Sequence, residues 1–321
     1  MPDTPQPDTI NKPFRILALD GGGAKGFYTL GLLDEIERNM GKPLHTCFDL
    51  IYGTSTGAII AALATRGDSV ESIIKTYGEH VPAIMKQKDV PARTAALHTH
   101  AKAVFGDTTL ASFKTRISIV ATNWKDEKPF IFKASPSQAH GSHGSFVPFW
   151  GVSVTDAIIA SCSAAPFFNS HTVTTSKGDV IEVADGGFCA NNPTVYAIAD
   201  VMGPLKCAPA DIRVVSLGVG VYPPPSLLKR IGRLRSWSVA KHYFSSDFLQ
   251  KILDTNTGSM EQLRVILYKN VPTIRISEAY PEPAMATDLL EHDMTKLNRL
   301  VQKGRLSYQK HEEAILTLLK S

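Results

Sequence analysis

The amino-acid sequence predicts an α/β fold in which a mostly parallel central sheet is flanked by helices. An apolar run at 14–19 is followed by a glycine-rich turn and then by apolar residues at helical spacing up to about Met40. The same order recurs with a strand at 47–52, a turn at 53–57 and a helix at 58–65. Two successive strand, turn and helix units favour parallel strands covered by helices.

The remaining elements continue this pattern toward the C-terminus. Further strands are predicted at 116–121, 129–133, 180–184 and 212–217, with a helix at 155–163. Residues 85–109 have weaker periodicity, which is compatible with a cap or an insertion over the sheet, and 287–319 favour an amphipathic helix broken at Gly304. We expect a single domain from 14 to 321 with a helical C-terminal part, preceded by a flexible N-terminal arm at 1–13.

Composition limits the functional classes that are worth considering. The 321 residues, 43% of them hydrophobic, are enough to bury a full-sized core. The net charge of +4 suits an anionic membrane face or an acidic ligand but does not distinguish them. No apolar stretch reaches the roughly 18 to 20 residues that a spanning helix requires, and the N-terminus lacks a secretory signal pattern. The four cysteines are scattered, which favours reduced thiols and a cytoplasmic protein.

The pentapeptide GTSTG at 53–57 predicts a nucleophile elbow centred on Ser55. In such an elbow the serine lies on a sharp turn between a strand and a helix, and Gly53 and Gly57 leave room for the strained backbone and for substrate. The amides at the start of the helix then face the oxyanion that forms. Alone, the motif is equally compatible with a glycine-rich turn without chemistry.

A second glycine-rich loop, DGGGAKG at 20–26, follows the first predicted strand. Consecutive residues without side chains let backbone amides converge on an anion, as an acyl-transfer enzyme requires. A dinucleotide-binding fold is the alternative, because Gly21, Gly23 and Gly26 also satisfy its GxGxxG pattern. Asp49 has about the spacing of the ribose-binding acid but lies early in its predicted strand, whereas a ribose would lie at the carboxyl end.

Asp185, in the sequence DGG with Gly186 and Gly187, is the predicted base. It follows the strand VIEVA, so we expect its carboxylate at the same carboxyl edge of the sheet as Ser55. With an ordinary pKa near 3.9 it would be a weak base that mainly accepts the serine proton. A plain turn is the alternative for these three residues.

A Ser-His-Asp triad is the competing mechanism. Its histidine would follow the acid in chain order, which leaves His242, His292 and His311. His292 and His311 have charged, helical surroundings and His242 lies in a basic aromatic segment, so all three are more typical of surface histidines than of bases.

Taken in order, these motifs resemble those of the patatin-like phospholipases. DGGGAKG at 20–26, GTSTG at 53–57, ASCSAAPFF at 160–168 and DGGFCANNP at 185–193 follow each other as in that family. FGDTTL at 105–110 also resembles it, and the similarity extends over most of the chain from Phe14. The resemblance implies a three-layer fold related to the α/β hydrolases. It also implies hydrolysis of fatty-acyl esters of phospholipids without a metal or an organic cofactor.

The resemblance assigns roles by motif position. Ser55 is implied as the nucleophile and Asp185 as the base that accepts its proton. The other implied roles belong to backbone groups and loop residues: an oxyanion hole from Gly22, Gly23 and Ala24, support of that loop by Gly21, Lys25 and Gly26, the elbow glycines Gly53 and Gly57, and the DGG glycines Gly186 and Gly187.

The opening RILALDGGGAKGFYTLGLLDEIE and the helical ending are similar to bacterial patatin-like effectors of cyclic-oligonucleotide anti-phage defence, of the CapV and CapE type. That similarity implies activation by a cyclic dinucleotide from a partner synthase, without a nucleic-acid polymer, and attack on phospholipid at the inner face of the cell membrane. A homo-oligomer that forms on activation is a further expectation. A constitutive lipase or thioesterase, a phospholipase toxin and a non-catalytic nucleotide-binding module are the alternatives.

A basic aromatic segment at 227–244 is the candidate contact surface for lipid or activator. Arg230, Arg233 and Arg235 supply positive charge beside Trp237, a composition that suits an anionic bilayer interface. Arginines and aromatic rings also suit the phosphates and bases of a cyclic dinucleotide. An ordinary amphipathic helix with a solvated basic face is the third possibility.

Overall fold

A single mixed sheet organises the part of the chain that the computed structural model describes, namely residues 12–141, 143–222, 237–282 and 285–320. The expected arm at 1–13 therefore lies almost wholly outside the described residues. Eight strands belong to the sheet: β1 (Phe14–Leu19), β2 (Leu50–Thr54), β3 (Arg116–Asn123), β4 (Lys128–Lys133), β5 (His171–Thr174), β6 (Val180–Asp185), β7 (Ile212–Leu217) and β8 (Thr273–Ile276).

The sheet has a parallel centre and an antiparallel side. Its order is β5-β6-β3-β2-β1-β7-β8, with β4 also paired to β3. Neighbouring strands pair in parallel through β3, β2, β1, β7 and β8. The pairs that involve β4, β5 or β6 are antiparallel. The predicted mostly parallel sheet is confirmed, and its antiparallel part was not foreseen.

The register of β3 brings two strand ends face to face. β3 pairs with β2 only as far as Val120, which lies opposite Thr54, and its next residue, Ala121, lies opposite Asp185 of β6. β4 occupies the other edge of β3 along this stretch. Because a strand has only two hydrogen-bonding edges, β6 lies on the same edge as β2, and the two strands end against each other.

Helices cover both faces of the sheet. They are α1 (Gly26–Met40), α2 (Leu44–Cys47), α3 (Thr56–Arg66), α4 (Val70–Met85), α5 (Val90–Phe105), α6 (Val154–Cys162), α7 (Gly187–Ala190), α8 (Thr194–Met202), α9 (Trp237–Leu267), α10 (Met294–Gln309) and α11 (Glu312–Lys320). Alternate residues of β1 belong to different buried clusters, since Leu17 and Leu19 pack with α1 and α3 while Phe14 and Ile16 pack with α8. The result is the expected three-layer fold.

Helix α10 runs through Gly304 without a break, so the predicted interruption is wrong. A Cβ at Gly304 would collide with the Tyr28 carbonyl, and one at Gly31 would collide with the Val301 carbonyl. The two glycines therefore let α10 and α1 pack backbone against backbone. This close contact accounts for a glycine inside a continuous helix despite its unfavourable propensity.

The structure differs from two further predictions of secondary structure. The strand predicted at 47–52 begins only at Leu50, because Leu44–Cys47 form a short helix after Pro43. Residues 85–109 contain α5, which packs on α4 and α6 and buries Leu97 and Phe105. Within the described ranges, no helix has the length and apolarity needed to cross a bilayer.

Candidate active site

Ser55 lies at a strained turn between β2 and α3. Its backbone has φ 51° and ψ −120°, a conformation that few non-glycine residues adopt. A Cβ at Gly53 would meet the Gly57 carbonyl, and one at Gly57 would meet the Leu19 carbonyl, so both positions require glycine. This is the geometry that the predicted nucleophile elbow requires.

Ser161 stabilises the turn from the neighbouring helix α6. Its buried hydroxyl accepts a hydrogen bond from the Ser55 amide at 2.8 Å and donates to the Val120 carbonyl at 2.6 Å. Ser161 belongs to the segment 160–168, which the sequence singled out only by resemblance. A serine in an apolar helix carries no signal of its own, because its partners lie 41 and 106 residues away.

Asp185 ends β6 directly against the Ser55 turn. The residue is 2% exposed, its Oδ1 accepts a hydrogen bond from the Gly187 amide at 2.6 Å, and its carbonyl accepts one from the Thr122 hydroxyl at 2.8 Å. Burial raises the pKa of Asp185 to about 6, and hydrogen bonds from the Ser55 hydroxyl and the Gly187 amide partly oppose the rise. The expectation of an ordinary, weakly basic carboxylate is therefore wrong.

The reason given for placing Asp185 near Ser55 also needs correction. The sequence suggested that two parallel strands share a carboxyl edge, but β6 runs antiparallel to β3. Asp185 reaches Ser55 because β3 extends three residues beyond Val120 and pairs there with the end of β6. A Cβ at Gly186 would collide with the Val120 carbonyl, so this close approach also depends on a glycine.

Most backbone amides of the glycine loop after β1 already donate hydrogen bonds to other groups of the protein. The Gly21 amide donates to the Asn191 carbonyl at 3.0 Å, the Ala24 amide to the Leu289 carbonyl at 3.1 Å, and the Lys25 amide to the Gly22 carbonyl at 3.2 Å. The amides of Gly22 and Gly23 have no acceptor among the described residues. Ala24, expected to contribute to an oxyanion hole, does not offer a free amide in this conformation.

Hydrogen bonds also join the same loop to the start of α3 and to α4. The Gly23 carbonyl accepts hydrogen bonds from the Thr56 hydroxyl at 2.7 Å and the Tyr77 hydroxyl at 2.8 Å. A Cβ at Gly21 would lie 3.2 Å from the Cβ of Ser55. A Cβ at Gly26 would lie 2.6 Å from the Tyr77 hydroxyl, so its lack of a side chain admits that ring. The loop and the serine turn therefore pack directly against each other.

Lys25 is a buried lysine beside the loop rather than a solvated one. It is 5% exposed, and burial lowers the pKa of its ammonium group, an effect that Asp254 and Asp288 partly offset. A small cavity of about 30 Å³ is lined by Gly22, Lys25 and residues of α9. This space is about enough for a water molecule and too small for an acyl chain.

A buried ion pair fixes the start of the glycine loop. Arg275 of β8 donates to Asp20 through both terminal nitrogens, with Nη1 to Oδ1 at 2.7 Å, and also to the Ser216 hydroxyl at 2.9 Å. Both charged side chains are largely buried. This pair could not be predicted from the sequence, because its members are 255 residues apart and β8 was not predicted.

The competing site residues lie elsewhere. His292 is exposed, and His311 contacts Glu278 on the surface rather than Ser55. Asp49 receives a hydrogen bond from the Arg15 amide at 2.8 Å, at the amino end of the strands and away from the glycine loop. The side chain of His242 lies outside the described residues, as do Arg230, Arg233 and Arg235 and the side chain of Trp237.

Comparisons with known proteins agree with this arrangement. The family model described as patatin-like phospholipase matches residues 17–198. A cUMP-AMP-activated phospholipase of Escherichia coli is 52% identical, with 95% of this chain and 93% of that protein aligned. A cGAMP-activated phospholipase of Vibrio cholerae serotype O1 is 24% identical with the same coverage.

Among solved structures, human GIVD cytosolic phospholipase A2 has a similar fold. The TM-score is 0.50 at 11% identity, with 96% of this chain and 60% of that chain covered. At such low identity the similarity concerns the fold alone. With a family match over more than half of its length and a relative sharing 52% of its residues, this chain belongs to the patatin-like phospholipase family.

Proposed function

We propose that Ser55 and Asp185 form the catalytic dyad of this phospholipase. The observation that carries the proposal is the meeting of β2 and β6, which brings the strained serine against a buried carboxylate with a pKa of about 6. A base with that pKa is ionised at neutral pH and still has appreciable affinity for a proton. The Ser55 hydroxyl is close enough to the Asp185 carboxylate to lower the pKa of that group, which supports proton transfer between the two side chains.

The proposed reaction has two steps. The Ser55 oxygen attacks the ester carbonyl carbon while Asp185 takes the hydroxyl proton, and the tetrahedral oxyanion collapses when that proton is returned to the leaving lysophospholipid alkoxide. A water molecule then attacks the acyl-enzyme and gives its proton to Asp185. The fatty acid leaves as Ser55 recovers the proton, so the enzyme returns to its starting state.

Backbone amides supply the proposed oxyanion hole. The amides of Gly22 and Gly23 are the loop donors without an acceptor among the described residues, and their loop adjoins the Cβ of Ser55. Removing one such donor typically costs about a hundred- to a thousandfold in rate. The buried Lys25 side chain lines the small cavity beside these amides. We assign no donor role to Ala24 while Leu289 holds its amide.

The substrate and the activator are proposed from the relatives. Two phospholipases aligned over 95% of this chain carry names that state activation by cUMP-AMP or cGAMP. We therefore propose that this enzyme hydrolyses membrane phospholipid when a partner synthase supplies a cyclic dinucleotide, with cUMP-AMP as the first choice. It would act at the inner face of the cell membrane in anti-phage defence, as a homo-oligomer once activated.

Residues 14–321 are proposed to form one catalytic domain. Support comes from the sheet, which includes strands from Phe14 to Ile276, and from α10, whose packing on α1 joins the C-terminal part to the first helix of the fold. The cavity beside the glycine loop is too small for a lipid chain, which supports a requirement for rearrangement before substrate enters.

Fatty-acid release from phosphatidylethanolamine and phosphatidylglycerol vesicles tests the proposal. We expect release with cUMP-AMP and little without it, and we expect Ser55→Ala and Asp185→Asn each to lower the stimulated rate by about a thousandfold or more. Ser72→Ala and Asp211→Asn, at exposed positions, are the matched controls. A fluorophosphonate probe should label Ser55. Near wild-type release by Asp185→Asn would remove Asp185 as the base.

A further inference from the structure

Asn191 lies where the glycine loop, the DGG turn and helix α9 meet. Its carbonyl accepts the Gly21 amide at 3.0 Å, and its side-chain Nδ2 donates to the Gly21 carbonyl at 3.3 Å. Both backbone groups of Gly21 are therefore held by one residue. Gly21 in turn adjoins the Cβ of Ser55, so Asn191 fixes the glycine loop at the point nearest to the serine.

Asn191 also contacts the other half of the site. A Cβ at Gly187 would lie 2.9 Å from the Asn191 Oδ1 and 2.9 Å from the Asp185 Oδ1. The Asn191 side chain is 5% exposed, so solvent does not compete for these contacts. One buried amide thus lies beside both the oxyanion loop and the base.

Two consecutive residues of α9 hold Asn191. The Asn256 Oδ1 accepts the Asn191 backbone amide at 2.8 Å, and the Thr257 hydroxyl accepts the Asn191 Nδ2 at 2.7 Å. Asn256 also donates to the carbonyl of Cys189 at 3.1 Å, two residues after Gly187. Because Asn256 and Thr257 are neighbours on one helix, a shift of α9 changes all three hydrogen bonds together.

We infer that Asn256 and Thr257 are positioning residues that set the geometry of the oxyanion loop through Asn191. The inference rests on the proposed function, since it assigns these residues to the same Ser55 site. The helix then acts as an adjustable support, and its position determines whether the Gly22 and Gly23 amides face the forming oxyanion. Misplacement of about 1 Å in such a site can cost up to about a hundredfold in rate.

Paired substitutions at Thr257 test the inference with hydrolysis of p-nitrophenyl butyrate in the presence of cUMP-AMP. Thr257→Val removes the acceptor at nearly constant volume, and we expect kcat to fall by about 10- to 100-fold with KM within about twofold. Thr257→Ser keeps the hydroxyl and should restore kcat. Asn256→Ala should behave as Thr257→Val does. Thr255→Val, the same change at an exposed position of α9, is the control and should leave kcat unaltered.

A second measurement does not depend on activity. Amide hydrogen exchange of the peptide containing Gly21 should accelerate in Thr257→Val and in Asn256→Ala but not in Thr255→Val, because the Gly21 amide loses its fixed acceptor. Unchanged exchange and unchanged kcat in Thr257→Val would overturn the inference while leaving the proposed function intact. If the wild-type enzyme lacked hydrolysis altogether, the proposed function would fail, and the exchange result alone would decide the positioning role.

Discussion

At the scale of single residues, the site concentrates unfavourable features that a purely structural turn would not need. Ser55 has a positive φ, and Asp185 is a carboxylate buried without a cationic partner among the described residues. Strained backbone and desolvated charge each cost stability, and both cluster at active sites because catalysis uses them. The identities of these two residues were predicted from the sequence, but their energetic state depends on burial.

The buried carboxylate makes a prediction about stability. The pKa of Asp185 is raised to about 6 in the folded state, above its unfolded value, so its contribution to stability is fully present below about pH 4 and is lost as the pH rises through 6. In Asp185→Asn the side chain is neutral at every pH, so no stability is lost through its ionisation. We expect this substitution to raise the free energy of unfolding by up to about 3 kcal/mol at pH 8 and by about 1 kcal/mol at pH 4.5.

Urea unfolding at the two pH values measures this effect. Asp211→Asn, at an exposed position, serves as the control and should shift the midpoint little at either pH. Equal stability of wild type and Asp185→Asn at pH 8 would contradict a raised pKa of Asp185 in the folded protein.

At the scale of elements, distant strands and helices position the glycine loop. β8 supplies Arg275 to Asp20 at the start of the loop, and α9 supplies Asn256 and Thr257 to Asn191 behind it. The loop sequence predicts convergent amides but carries no information about these supports. Its two ends are therefore fixed by tertiary contacts, and the amides of Gly22 and Gly23 are left without an acceptor among the described residues.

The Arg275–Asp20 pair gives the prediction that belongs to this scale. Arg275→Met leaves a buried carboxylate without its partner, and we expect the free energy of unfolding to fall by about 3 to 5 kcal/mol. The double variant Asp20→Asn/Arg275→Met should recover most of this loss. Arg38→Met breaks an ion pair with a 62% exposed arginine and should cost less than about 1 kcal/mol. Equal losses in Arg275→Met and Arg38→Met would show that the buried pair has no special role.

At the scale of the whole molecule, the proposed action on a membrane involves a mildly basic protein. The net charge is +4, and the basic residues Arg230, Arg233 and Arg235 immediately precede α9 in the sequence. Each basic residue near an anionic bilayer contributes about 1 kcal/mol to binding. We expect charge reversal of all three arginines to glutamate to weaken binding to phosphatidylglycerol vesicles by about 100-fold or more, with hydrolysis of a soluble short-chain ester unchanged.

Charge reversal at three other basic residues distinguishes an effect of this segment from an effect of net charge. Lys75, Lys88 and Lys102 are exposed on and between α4 and α5, and their triple change to glutamate alters the net charge by the same amount. Loss of activator binding and of both activities in the arginine variant would instead assign the segment to the cyclic dinucleotide. Retention of vesicle binding, activator binding and both activities would make the segment structural.

The residues of the proposed site could be predicted from the sequence alone. Ser55, Asp185 and the glycines around them were predictable because a sharp strand-to-helix turn and closely spaced amides impose local requirements that few residue types meet. The central strands followed from apolar periodicity for the same reason. Elements with weaker patterns, such as β5 and β8, were missed, and the end-to-end meeting of β2 and β6 was not foreseen.

The contacts that hold these residues, and their charge, depend on the tertiary structure. The position of Asp185 depends on the register of β3 against three strands, its pKa depends on burial, and the Gly21 amide is held by Asn191, 170 residues further along the chain. Strand register, desolvation and long-range hydrogen bonds are properties of groups that meet only when the chain folds. A motif specifies which atoms react, whereas the surrounding fold specifies their geometry and their affinity for protons.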